Sequence, residues 1–162
     1  IGMEDDEERP YDHHLPLHLL HSILASLACF RDLARASCVS RTWRQAAMES
    51  AASMEKLSFS GLKFDDDSVA KIVLRAHNLR ELDVSASRRG CRLTDEGLKR
   101  MSEAKCVAHL TSISIWGSSD ISDEGVVQMV SRAGSLQHLN LGGTSVSDIS
   151  LFVVADSCPH LK

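Results

Sequence analysis

Apolar and polar positions along this chain follow two rhythms. Near the N-terminus, Leu19, Leu20, Ile23 and Leu27 recur at helical spacing, and Leu33, Ala36, Val39 and Trp43 continue the pattern. Such intervals predict amphipathic helices, each with an apolar stripe that must meet a core or another molecule. Only about 40 residues carry this stripe, too few for a comfortable independent core, so part of it is expected to face a partner. From residue 54 the rhythm changes. Short alternating segments predict strands at Leu57-Ser58-Phe59, Leu82-Asp83-Val84, Ile113-Ser114-Ile115 and Leu139-Asn140-Leu141.

Each strand is followed by a helix-start signal. Leu93-Thr94-Asp95-Glu96-Gly97-Leu98 recurs as Ile121-Ser122-Asp123-Glu124-Gly125-Val126 and as Val146-Ser147-Asp148-Ile149-Ser150-Leu151, with a weaker copy at Phe64-Asp65-Asp66-Asp67-Ser68-Val69. A short oxygen side chain accepts from the first free N–H groups of a helix, and acidic residues suit its positive end. The predicted helices Asp95–Ser102 and Asp123–Ser131 place Leu98 and Met101, and Val126, Met129 and Val130, inward. A further leucine leads the later strands (Leu79, Leu110, Leu136), and Leu161 would open a fifth.

Between the inward residues, alternation turns the others to the opposite face of the sheet. These are Lys56, Ser58 and Ser60; Glu81, Asp83 and Ser85; Ser112, Ser114 and Trp116; and His138, Asn140 and Gly142. A tryptophan among small polar groups has the character of a binding hot spot. Folding over the loop edge as local packing is the competing reading of Trp116. The candidate binding residues on this face are Glu81, Asp83, Ser112, Ser114, Trp116, His138 and Asn140.

Leu15-Pro16, Leu19-Leu20, Ile23, Asp32-Leu33 and Val39-Ser40 with Trp43, in that order, resemble an F-box over residues 14–50. The resemblance implies docking on a Skp-family adaptor and, through it, on cullin and RING subunits of a ubiquitin ligase. The residues it assigns to adaptor binding are Leu15, Pro16, Leu19, Leu20, Ile23, Leu27, Leu33, Val39 and Trp43. Residues 54–162, with a period of 25–30 residues and the pattern L-x-x-L-x-L, resemble leucine-rich repeats. Cys158-Pro159-His160-Leu161 is similar to the closing motif of their cysteine-containing subfamily, while earlier closures place Ala76, Val107 and Ala133 at the cysteine position.

The expected fold is therefore α/β: a small three-helix F-box, then about four repeats forming a solenoid with parallel strands on the concave side and helices outside. Residues 1–13 read as an acidic tail, with Ile1-Gly2 a remnant ahead of Met3. The expected function is that of a substrate-receptor subunit that holds an unidentified client protein. An adaptor-binding scaffold without a ligase role and a small-ligand, hormone-type receptor are the alternatives. The wording of the sequence resembles plant proteins of this architecture. No cap covers the last repeat, so further repeats are expected beyond it.

Composition narrows the chemistry. A net charge of −4 gives no electrostatic case for nucleic acid, and the apolar runs are too short and interrupted for a membrane span. No secretory signal is visible, so cytoplasm or nucleus is expected. Cys29, Cys38, Cys91, Cys106 and Cys158 are odd in number and scattered, which argues against a disulfide framework and for small buried thiols. His13, His14, His18 and His21 crowd the first helix without local Cys, Asp or Glu partners, so surface histidines are expected rather than a metal site. Asp65-Asp66-Asp67 lacks the glycine and distal glutamate of a calcium loop and reads as helix capping. No nucleophile elbow or phosphate loop is present, and neither enzyme activity nor a cofactor is expected. Ser87-Arg88-Arg89-Gly90-Cys91-Arg92 lengthens one repeat as a solvated insertion.

Overall fold

The computed structural model describes residues 15–27, 29–86 and 93–162. Three helices come first: α1 (Leu17–Ala25), α2 (Phe30–Ala36) and α3 (Arg41–Ala52). Pro16 precedes α1, where its fixed φ suits helix entry, and its carbonyl accepts from the N–H of Leu19 at 2.9 Å. Ser40 caps α3 by accepting from the Trp43 N–H at 3.2 Å.

Four strand–helix units follow. They are β1 (Lys56–Ser58) with α4 (Asp66–Val73), β2 (Glu81–Asp83) with α5 (Asp95–Ser102), β3 (Ser112–Ser114) with α6 (Asp123–Val130), and β4 (His138–Asn140) with α7 (Asp148–Ser157). A short 3₁₀ turn, Lys105–His109, leads into β3. The strands form one parallel sheet in the order β1-β2-β3-β4. Its register aligns Leu57, Leu82, Ile113 and Leu139 in one row, with Ser58, Asp83, Ser114 and Asn140 in another. The apolar row faces the core, as alternation predicts, and Leu98, Met101, Val126, Met129 and Val130 meet it from the helices. Phe59 links sheet and helical domain: its ring centroid lies 4.7 Å from that of Phe30 on α2 and 5.4 Å from that of Phe64.

The units are fastened by a carboxylate ladder. Asp66 accepts from the backbone N–H of Thr94 at 2.9 Å and from its hydroxyl. Asp95 accepts from the Ser122 N–H (2.9 Å), its hydroxyl (2.6 Å) and the Gly125 N–H (3.2 Å). Asp123 accepts from Ser147 N–H and hydroxyl and from Ser150 N–H and hydroxyl, at 2.6 to 3.2 Å. The acidic residue of one helix start thus satisfies the free N–H groups of the next. Sequence reading assigned each acid to its own helix; the tertiary stack redirects it. Of Asp65-Asp66-Asp67, only Asp65 caps its own helix, accepting from the Ser68 N–H at 2.9 Å, while Asp66 reaches Thr94 and Asp67 pairs with Arg100.

Small residues fill the closures between units. Ala76, Val107, Ala133 and Cys158 are all buried, and the Cys158 thiol lies 3.7 Å from the Ala133 carbonyl oxygen. Burial pushes the Cys106 and Cys158 thiols up from their ordinary pKa. Cys29 and Cys38 are exposed, contrary to the expectation of buried thiols, because they flank α2 at the surface. Cys91 and the arginine-bearing segment 87–92 lie outside the described residues.

Asp123 tests the ladder through pH. The Ser147 and Ser150 hydroxyls and N–H groups hold its pKa down from 3.8 to about 2. A carboxylate depressed on folding stabilises the fold above the unfolded pKa, and this contribution is lost as pH falls through the folded value. The Tm difference between the native chain and Asp123→Ala should be full at neutral pH and shrink between roughly pH 4 and pH 2. A constant difference across that range, measured by circular dichroism, would contradict this role. Gly125 supplies a second test, since an added Cβ would lie 2.8 Å from the Asp95 Cα. Gly125→Ala should cost about 1–3 kcal/mol in urea unfolding.

Candidate functional site

Helix α1 divides its leucines between two environments. Leu20 and Leu24, one turn apart, are each 1% exposed and pack into the chain's own core with Leu33. Leu19 and Ile23, also one turn apart on the neighbouring stripe, are 45% and 49% exposed. Leu15, Pro16 and Leu17 extend this open stripe, and Val39 before α3 is open too. Helical spacing alone placed Leu19, Leu20, Ile23 and Leu27 on one side. A step of one residue turns a helix by about 100°, so Leu19 and Leu20 part company once α3 covers one flank.

The structure thus divides the residues that helical spacing grouped together. Leu20 and Leu33 are core residues and offer no surface. Leu27 and Trp43 are half-buried against the same core. Leu17 joins the open group, although the motif did not mark it; its apolar side chain beside Leu15 and Leu19 was the available signal. The α1–α3 junction also carries a polar contact, with His21 Nε2 at 2.9 Å from Glu49 Oε2. His13 and His14 lie outside the described residues.

The sheet face turned away from the helices forms the second surface. Register brings Glu81, Ser112 and His138 into one row, and Asp83, Ser114 and Asn140 into the next. Lys56 pairs with Glu81 at 2.7 Å. The Asp83 carboxylate accepts from the Ser58 hydroxyl at 2.8 Å and from the Ser85 N–H at 3.0 Å, which fixes it on the face. The Ser85 and Ser114 hydroxyls are 2.9 Å apart. Trp116 is 54% exposed and lies across the position of Gly142, where an added Cβ would come 2.9 Å from Trp116 Cδ1. Glycine there lets the indole rest on the neighbouring strand while its other face stays open. Trp116 is thus packed on the loop edge on one side and exposed on the other.

One end of this face is walled by the helical domain. Cys29, Phe30 and Arg31 stand over Lys56, Ser58, Asp83 and Ser114 and enclose a cleft of about 410 Å³. Arg31 holds the wall in place by donating to the Ser60 carbonyl at 3.0 Å. The sequence carried no signal for this wall, because the start of α2 meets the sheet only through tertiary packing.

Residues 12–59 match the F-box-like family. The chain carries an F-box-like domain, and the described helices α1 to α3 fall within it. Such a domain implies binding of a Skp-family adaptor in a Skp–cullin–F-box-type complex, and proteins that carry it are generally non-catalytic subunits.

The division of α1 yields a paired expectation. Leu20→Ala should destabilise the fold by about 2–5 kcal/mol through loss of packing and a residual cavity. Leu19→Ala should stay within about 0.5 kcal/mol. Urea unfolding of both variants checks this, and equal losses would mean that the two stripes are not distinct.

Proposed function

We propose that this protein is the substrate-receptor subunit of a Skp–cullin–F-box ubiquitin ligase. The F-box-like domain docks on the adaptor, and leucine-rich repeats built from the four strand–helix units hold a client protein. The observation that carries this reading is the open stripe of Leu15, Leu17, Leu19 and Ile23 on an F-box-like domain whose Leu20, Leu24 and Leu33 are already buried. An apolar stripe left in water beside a completed core is the signature of a partner surface. Adaptor contact is assigned to Leu15, Pro16, Leu17, Leu19, Ile23 and Val39.

The client surface is assigned to Glu81, Asp83, Ser112, Ser114, Trp116, His138 and Asn140. Fixed polar groups around one exposed aromatic anchor favour recognition of a protein segment. The cleft beside them is half-open along the sheet rather than enclosed, whereas small-molecule sites bury most of their ligand, which favours a protein client over a hormone-type ligand. The chain breaks no bond in this role. It joins two binding surfaces and raises the effective concentration of client lysines near the transferase.

Adaptor docking is tested with the double variant Leu19→Ala, Ile23→Ala, which removes exposed side chains only. Each buried anchor at a protein interface is commonly worth about 2 kcal/mol or more, so affinity for a Skp-family adaptor in isothermal titration should fall at least tenfold. The circular dichroism spectrum and Tm should stay those of the native chain. Unchanged affinity in a folded double variant would remove this docking surface. A ligase role, as against an adaptor-binding scaffold, requires client turnover that stops when cullin is inhibited.

A further inference from the structure

The charges that line the cleft between sheet and helical domain are not all matched. Lys56 and Glu81 satisfy each other at 2.7 Å along one edge. Arg31 is held at the other end, where its guanidinium donates to the Ser60 carbonyl at 3.0 Å and lies beside Gly61. Asp83 stands on the floor, in the row between these two, and is half-buried. Its carboxylate accepts only from neutral groups: the Ser58 hydroxyl on Oδ2 at 2.8 Å and the Ser85 N–H on Oδ1 at 3.0 Å. Among the described residues, no cation lies within ion-pair distance of it. Partial burial raises the cost of a charge that lacks a counter-ion.

The geometry of that carboxylate states what fits. An ionised carboxylate has about four acceptor sites, and each Asp83 oxygen has one protein donor. One open site on each oxygen is the pattern that a planar guanidinium fills with two parallel N–H groups. The Ser112 and Ser114 hydroxyls line the same cleft and can accept the remaining N–H groups. A lysine is a point charge that cannot use both oxygens in this way. An acidic side chain would meet Asp83 while both cations of the cleft are already engaged. We infer that the cleft receives an arginine side chain of the client, its guanidinium forked on Asp83. The inference rests on the reading of the sheet face as a client surface and names what that surface recognises. Trp116 sets the second requirement. It lies one strand over from Asp83 and two residues further along, a separation of ~8 Å from strand spacing and rise. An extended segment shows residues two apart on the same face, ~7 Å from each other. The recognised segment therefore carries an apolar side chain two residues from its arginine.

The test titrates the full chain with two blocked peptides, Gly-Arg-Ser-Leu-Gly and Gly-Leu-Ser-Arg-Gly, followed by amide NMR shifts. At least one should move the amides of Asp83, Ser85 and Ser114. Exchanging its arginine for citrulline, which keeps the shape and loses the charge, should weaken binding about tenfold or more, and glutamate in its place should abolish it. Asp83→Asn should weaken the arginine peptide to the same degree and leave Tm unchanged. Trp116→Ala should weaken the leucine-bearing peptide and leave a glycine-for-leucine version as it was. The inference is overturned if neither peptide shifts these amides, if the citrulline or glutamate peptide binds as well, or if Asp83→Asn titrates like the native chain. Adaptor affinity and cullin-dependent client turnover are separate readouts. Their survival alongside a failure here leaves the receptor role standing, whereas their loss with arginine binding intact removes that role instead.

Discussion

A carboxylate handed from one unit to the next sets the spacing of this structure. The strands are three residues long, too short to hold a sheet on their own ladder bonds, and the apolar interior between units is non-directional. The Asp66–Thr94, Asp95–Ser122 and Asp123–Ser147 contacts supply direction. Each satisfies backbone donors at a helix start, where unpaired N–H groups and the helix dipole favour an anion. Because the acceptor sits on the preceding helix, satisfying these donors also fixes how closely two units approach. Gly97 and Gly125 follow from this, since a side chain there would occupy the space of the preceding carboxylate.

The same logic of open ends explains the helical domain. A stack of identical units leaves an uncovered edge at its start. Here α2 and α3 cover it, through the Phe30–Phe59–Phe64 cluster and the Arg31 bond to Ser60. Within the helical domain, α1 packs on α3 and buries Leu20 and Leu24. What is left over, on the adjacent stripe of α1, is the surface available to another protein. Packing on α3 and, in the proposed role, docking a partner thus use different faces of α1.

The arrangement also ties the two surfaces together in space. The start of α2, with Cys29 before it, forms the wall of the cleft above Ser58, Asp83 and Ser114. A partner on α1 and a client on the sheet would be held by parts of one packed body. That suits a function based on proximity, in which relative placement matters more than any single contact.

The strands, their facing and the helix starts were legible in the sequence because each depends on local periodicity. Alternation at Leu57, Leu82, Ile113 and Leu139 determines which side chains turn inward, and the hydroxyl–acid pairs mark where helices begin. Helical spacing likewise identified α1 as an apolar helix, with Leu19, Leu20, Ile23 and Leu27 read as one side. The sequence did not say which stripe of α1 is buried, which carboxylate serves which helix, or that Cys29, Phe30 and Arg31 wall a cleft. These depend on which elements pack against one another, and periodicity is silent about neighbours. Leu19 and Leu20 are the same residue type one position apart. Only the approach of α3 makes one of them core and leaves the other open.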